Sequence, residues 1–178
     1  MLESLRPYIQ NHALTLAPKD KPFKLAAGGE TSYYINMRNI PLYNGHCCRL
    51  VGSGLRKLLP EGVRYVGGVP TAGLLLIAPL LMAEETLKGF YVRKSPKEHG
   101  LGLQIEGYIG PDAEAALLED TVTTGNSILE AVRALREAGH EITYALALFD
   151  REEGGTENLA KEGVELMSVF RASDFNLP

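Results

Sequence analysis

Apolar positions near the start of the chain recur at helical spacing. Leu2, Leu5, Ile9 and Ala13 share one face, which predicts a helix over Leu2–Leu14. The run Ser32–Met37 is rich in Tyr and Ile and predicts a strand. Cys47–Leu59 has the pattern of a helix that Pro60 cannot continue. A short buried strand is expected over Arg64–Val69, a helix over Thr71–Glu84 just after Pro70, and a strand over Gly89–Arg93. Lys94–Gln104 contains Gly100 and Gly102, several charges and no period, so a mobile loop is expected there. An apolar strand, Ala115–Glu119, ends in acid. Ser127–Ala138 is a helix with Ile128, Leu129, Val132 and Leu135 facing inward and Gly139 as its stop. A strand at Ile142–Phe149, a short helix at Thr156–Lys161 and a strand at Leu166–Phe170 complete the order.

Strands that alternate with helices imply parallel strands joined by right-handed crossovers, an α/β class with a central, mainly parallel sheet flanked by helices. Ligands in such sheets bind beyond the carboxyl ends of strands. Those ends are Val69, Arg93, Glu119 and Phe149, so the residues after each are where chemistry is sought.

A chain of 178 residues suits one domain, and no internal repeat divides it. With 18 Lys plus Arg against 22 Asp plus Glu the net charge is -4, which argues against a general nucleic-acid binder. Cys47 and Cys48 are adjacent, a poor basis for a disulfide or a zinc site, and are expected as two buried thiols in a reducing compartment. Met1–Arg6 has no basic start leading into a long apolar run, so no leader is expected. The longest apolar stretch, Leu74–Ala83, is too short to span a bilayer and carries Pro79, so a cytoplasmic protein that does not contact membranes is expected.

The most informative segment runs from Glu119 to Ser127. A strand delivers two adjacent carboxylates, Glu119 and Asp120; Thr121, Val122, Thr123, Thr124, Gly125 and Asn126 then lead into a helix at Ser127. A helix N-terminus presents free N–H groups and partial positive charge, so it holds a phosphate. Thr123, Thr124 and Ser127 add hydroxyl donors, and Gly125 allows close backbone approach. The acids at the other end suit hydroxyls or a metal. A phosphate with a vicinal diol a few ångströms away describes a ribose 5-phosphate. A lone Asp before a helix usually only caps it. Two acids, three hydroxyl residues and a Gly in nine positions say more.

Strand, two acids, Thr-Thr-Gly and helix resemble the phosphoribosyl diphosphate signature of the type I phosphoribosyltransferases. The chain lacks the Gly-Lys-Ser/Thr of a P-loop and the G-x-G-x-x-G of a dinucleotide fold at this point. Arg93-Lys94-Ser95-Pro96-Lys97-Glu98-His99-Gly100 resembles the catalytic loop of the orotate enzymes within that family. Phe23–Arg38, with Tyr33 and Tyr34, resembles their base-covering hood. Asp150-Arg151 matches the pair whose Arg meets the orotate carboxylate. Gly67–Gly73 occupies the diphosphate-binding turn. The matches run in family order from Phe23 to the C-terminus.

This resemblance implies a single phosphoribosyltransferase domain, with residues 1–40 forming an N-terminal helix and hood and residues 41–178 the core. It implies that phosphoribosyl diphosphate contacts Arg93, Lys94, Lys97 and His99, the run from Glu119 to Ser127 named above, and Thr71 and Ala72. Orotate would meet Thr123, Arg151, Tyr33 and Tyr34; Lys97, His99 and Asp120 would be catalytic. Mg²⁺ would be held mainly through the substrate, with no direct protein ligand. A homodimer sharing loop 94–104 between subunits follows from the same resemblance. Three departures stand out. Ala26 replaces a Lys that contacts orotate in many members, Thr71-Ala72 replaces a Tyr-Lys pair, and Glu119-Asp120 replaces the commoner Asp-Asp. The first of these motivates a rival reading, the same chemistry on a purine or another base. A second rival is a non-catalytic regulator with the same fold, which the acidic charge and lack of an added basic segment disfavour.

Overall fold

The computed structural model describes residues 3–18, 20–24, 30–93, 95, 104–111 and 114–177. A 3₁₀ turn (Glu3–Leu5) leads into α1 (Arg6–His12) and four short strands: β1 (Leu14–Leu16), β2 (Phe23–Lys24), β3 (Glu30–Thr31) and β4 (Tyr33–Ile35). Then come α2 (Asn39–Tyr43), α3 (Gly45–Leu58), β5 (Tyr65–Gly68), α4 (Leu74–Ala83), β6 (Lys88–Val92) and β7 (Ile105–Gly107). The chain finishes with β8 (Ala115–Val122), α5 (Asn126–Glu137), β9 (Ile142–Asp150), α6 (Gly155–Lys161) and β10 (Glu165–Arg171).

The main sheet has the order β10-β9-β8-β5-β6-β7 and is parallel except for the β6–β7 edge. Central strands of such a sheet are buried on both faces, so they read as unbroken apolar runs. Their side chains still alternate. Ala116 and Leu118 of β8, with Leu146 and Leu148 of β9, enter the core under α3 and α4. Ala115, Leu117, Ala145 and Ala147 enter the opposite core under α5 and α6. The α/β class and the mainly parallel sheet are as the sequence implies. The inward face expected for α5 is also found: Ile128, Leu129, Val132 and Leu135 are all buried.

Several boundaries differ. The first helix is shorter than Leu2–Leu14, because Leu14 leaves it to pair with Ile35 across the antiparallel β1–β4 ribbon. α2 forms around Pro41, where the sequence shows no period. α4 begins at Leu74, since Thr71–Gly73 is a turn closed by the Gly73 N–H donating to the Val69 carbonyl at 2.9 Å. A Cβ on Gly73 would collide with the Leu118 carbonyl oxygen, so this turn needs glycine to lie against β8. β7 adds an antiparallel edge. β8 does not stop at Glu119; Thr121 and Val122 still pair with Phe149 and Asp150 of β9. Of the two cysteines only Cys47 is buried; both are free thiols and Cys48 is half-buried. Among the described residues no helix is long and apolar enough to cross a membrane.

Candidate active site

The end of β8, the loop after it and the first turn of α5 enclose a cavity of about 240 Å³ lined by Glu119 and the run Thr121–Ile128. Gly125 caps α5 at φ 80°, a left-handed conformation that favours glycine. That bend lets the strand turn at once into the helix, so the free N–H groups of its first turn face the loop. Two tertiary bonds fix the loop. The Asn158 amide of α6 donates to the Thr124 carbonyl at 3.1 Å, and the Arg151 backbone N–H donates to the Val122 carbonyl at 2.9 Å.

That second bond follows from the β8–β9 register, which sets Val122 opposite Asp150. Arg151 therefore emerges beside the loop. Its side chain is only 8% exposed, and its guanidinium carbon lies 4.7 Å from the centre of the Tyr33 ring. Nε donates to Glu153 Oε1 at 2.7 Å; Nη2 lies as close to the same oxygen but makes no hydrogen bond. Buried Asp150 holds this turn by accepting from the Glu152 N–H at 2.9 Å and the Thr156 hydroxyl at 3.1 Å. Strand alternation sends the two tyrosines apart. Tyr33 is buried over Arg151, whereas Tyr34 is 47% exposed and meets the edge of Phe23.

A second cavity, about 170 Å³, shares Ser127 with the first and is lined by Val69, Pro70 and Arg93 among others. Arg93 Nη1 pairs with Glu106 at 3.0 Å, while its buried Nε has no partner. In the 69–73 turn Thr71 is exposed and Ala72 buried; the cavity wall comes from Val69 and Pro70 instead. Lys94, Lys97, His99 and Ala26 lie outside the described residues.

No family model matches the chain. An orotate phosphoribosyltransferase of Aquifex aeolicus is 40% identical over 97% of this chain and 96% of its own length. The chain belongs to the orotate phosphoribosyltransferase family. A solved orotate phosphoribosyltransferase of Mycobacterium tuberculosis, in complex with Fe(III) dicitrate, superposes with a TM-score of 0.85 at 29% identity, covering 99% of both chains. Another from the same organism, in complex with 5-phospho-α-D-ribosyl 1-diphosphate, gives 0.80 at 26% identity over 97% of both.

In this member of the family the acidic pair is electrically unusual. Burial pushes the Glu119 carboxyl up to about 8, helped by the neighbouring Asp120 charge, and burial also raises Asp120. The folded Glu119 therefore holds a proton that the unfolded chain releases near its ordinary value of 4.5. That contribution to stability is complete below about pH 4.5 and is lost as pH rises toward 8. Glu119→Gln, which never ionises, should match the parent in melting temperature at pH 5 and exceed it by several degrees at pH 9. Equal melting temperatures at both pH values, measured by scanning fluorimetry, would discard the assignment of a buried protonated acid.

Sequence reasoning assigns no role to two residues near the site. Arg38 acts electrostatically on both Glu119 and Asp120, and its Nε donates to Asn36 at 3.1 Å. Glu153 pairs with Arg151. Neither has a local signature; a lone Arg after a strand and a Glu in an acidic turn read as surface charge.

Proposed function

We propose that this chain transfers ribose 5-phosphate from 5-phosphoribosyl 1-diphosphate to N1 of orotate, giving orotidine 5′-monophosphate and diphosphate, a step of de novo UMP synthesis. The observation that carries the reading is the joining of two sites through the Arg151–Val122 backbone bond: a helix-terminus cavity ending in an acid, and a buried guanidinium with a spare donor. A phosphate fits the first. A planar base bearing a carboxylate fits the second, because a guanidinium meets a carboxylate with two parallel hydrogen bonds. Purines and uracil carry no carboxylate, which sets the rival bases aside.

In this reading Thr123–Ser127 hold the 5-phosphate, Glu119 and Asp120 hold the ribose hydroxyls, and Arg151 with Thr123 and Tyr33 orients orotate. Tyr34, packed on Phe23, shapes the hood rather than the guanidinium pocket. Arg93, whose side chain is 38% exposed, meets the diphosphate. Thr71 and Ala72 serve through the backbone of the turn that walls the second cavity. By family resemblance Lys94, Lys97 and His99 neutralise the departing diphosphate, and Lys97 or His99 protonates it. The chain's work is positioning and stabilisation of charge as the bond to C1 breaks.

Among the described residues no three His, Cys, Asp or Glu side chains converge on one point. Two adjacent carboxylates fit a divalent cation that arrives on the diphosphate and shares the ribose hydroxyls. Mg²⁺ so bound would supply charge neutralisation at the leaving group. A homodimer in the cytoplasm belongs to the same proposal, with loop 94–104 reaching the neighbouring subunit. Its support is two large apolar side chains left in water, Leu42 of α2 at 65% and Met82 of α4 at 76% exposure.

The test is orotate loss, followed by absorbance, with 5-phosphoribosyl 1-diphosphate and Mg²⁺. Consumption at an enzymatic rate that stops on chelation of Mg²⁺ is the expected result. Diphosphate release with adenine, hypoxanthine or uracil but not orotate would reassign the base. No release with any base would favour the regulator.

A further inference from the structure

The turn after β9 carries three charged residues whose surroundings differ sharply. Glu152 sits at φ 58°, its N–H bound to Asp150, and its carboxylate accepts from the Ser173 N–H at 2.7 Å and the Ser173 hydroxyl at 3.0 Å. It is anchored on both sides. Glu153 is not: among the described residues its hydrogen-bond partner is Arg151 alone, and its side chain is 37% exposed. Arg151 is nearly buried, so its charge needs a counterion when no ligand is present. Tyr33 covers one face of the guanidinium, which leaves the edges for an incoming anion.

Glu153 Oε1 sits across the Nε–Nη2 edge, 2.7 Å from each nitrogen. That edge offers two parallel donors to a carboxylate, yet Glu153 spends one oxygen on it and leaves Nη2 unsatisfied. A ligand carboxylate on that edge must displace Glu153. One on the other edge would stand beside it and be repelled. We infer that Glu153 is an internal competitor for the substrate carboxylate: it neutralises Arg151 in the empty site and swings into water when orotate or orotidine 5′-monophosphate binds. This rests on the proposed function. Glu153 then tempers the affinity of the site for the substrate carboxylate. Ligands without a carboxylate bind beside an Arg151 already neutralised and gain nothing from it, while ligands with one gain a paired contact less the cost of displacing Glu153.

The experiment compares the parent with Glu153→Gln and Glu153→Ala. Calorimetry gives Kd for orotidine 5′-monophosphate and uridine 5′-monophosphate, which differ only by the carboxylate; steady-state assays give KM for both substrates. Removal of a half-exposed competing charge should tighten orotidine 5′-monophosphate and lower KM for orotate about three- to ten-fold in both variants. Kd for uridine 5′-monophosphate and KM for 5-phosphoribosyl 1-diphosphate should stay within two-fold, a pattern that a general loss of order in the turn would not give. A parent that consumes orotate, with variants that bind the carboxylate ligand equally or more weakly, overturns the competitor role and makes Glu153 a support for Arg151. A parent that neither consumes orotate nor prefers the carboxylate ligand overturns the proposed function, and the inference with it.

Discussion

Arg151→Ala should raise KM for orotate by about 30-fold or more. Truncating one partner of a buried, hydrogen-bonded charge pair costs about 2–5 kcal/mol. Arg151 is in that class, with its side chain 8% exposed and its Nε bonded to Glu153. The fold should survive, because the bond that ties this turn to the phosphate loop comes from the backbone N–H, which Ala keeps. The freed Glu153 can turn to water, although it also leaves a bare carboxylate where the ligand's must sit. The double variant Arg151→Ala/Glu153→Gln should therefore recover part of the loss. Binding of uridine 5′-monophosphate should hardly change. KM for orotate within a few-fold of the parent would remove Arg151 from the base site.

Gly125→Val should raise KM for 5-phosphoribosyl 1-diphosphate by about 100-fold and lower the melting temperature by about 5–10 °C. A left-handed conformation costs a residue with a Cβ about 1–2 kcal/mol, more when branched, and each kcal/mol shifts a protein of this size by about 2–4 °C. A Cβ here would also stand 3.1 Å from Leu159 Cγ and 3.3 Å from the Gly155 carbonyl oxygen. The backbone must shift, and with it the N–H groups at the start of α5 that face the cavity. Gly139 at the far end of α5 is the control. It has φ 85° and open space around its Cβ position. Gly139→Ala should cost stability with both KM values unchanged. If Gly125→Val lost only as much stability as Gly139→Ala and kept its KM, the cavity would not be the phosphate site.

The sequence alone determined the features that depend on neighbours along the chain. The period of α5 named its buried face, and the alternation of strands with helices announced a mainly parallel sheet flanked by helices. The phosphate cavity was legible because acid, hydroxyls, glycine and helix start are consecutive residues, and the field of a helix terminus is local. Arg151 was legible only through resemblance; nothing in its own neighbours separates it from surface charge.

What the tertiary structure decided concerns partners far apart in the chain. Leu14 belongs to a strand because Ile35 lies opposite it, and β7 exists because Phe90 offers an open edge. The β8–β9 register carries β8 past Glu119 and sets Val122 against Asp150, which hangs Arg151 beside the phosphate loop. Tyr33 rather than Tyr34 covers that guanidinium, a choice fixed by which face of β4 turns inward. Periodicity tells which side chains share a face, but not which distant face they meet. That depends on strand register and layer packing, and those are set by the burial of the whole sheet at once.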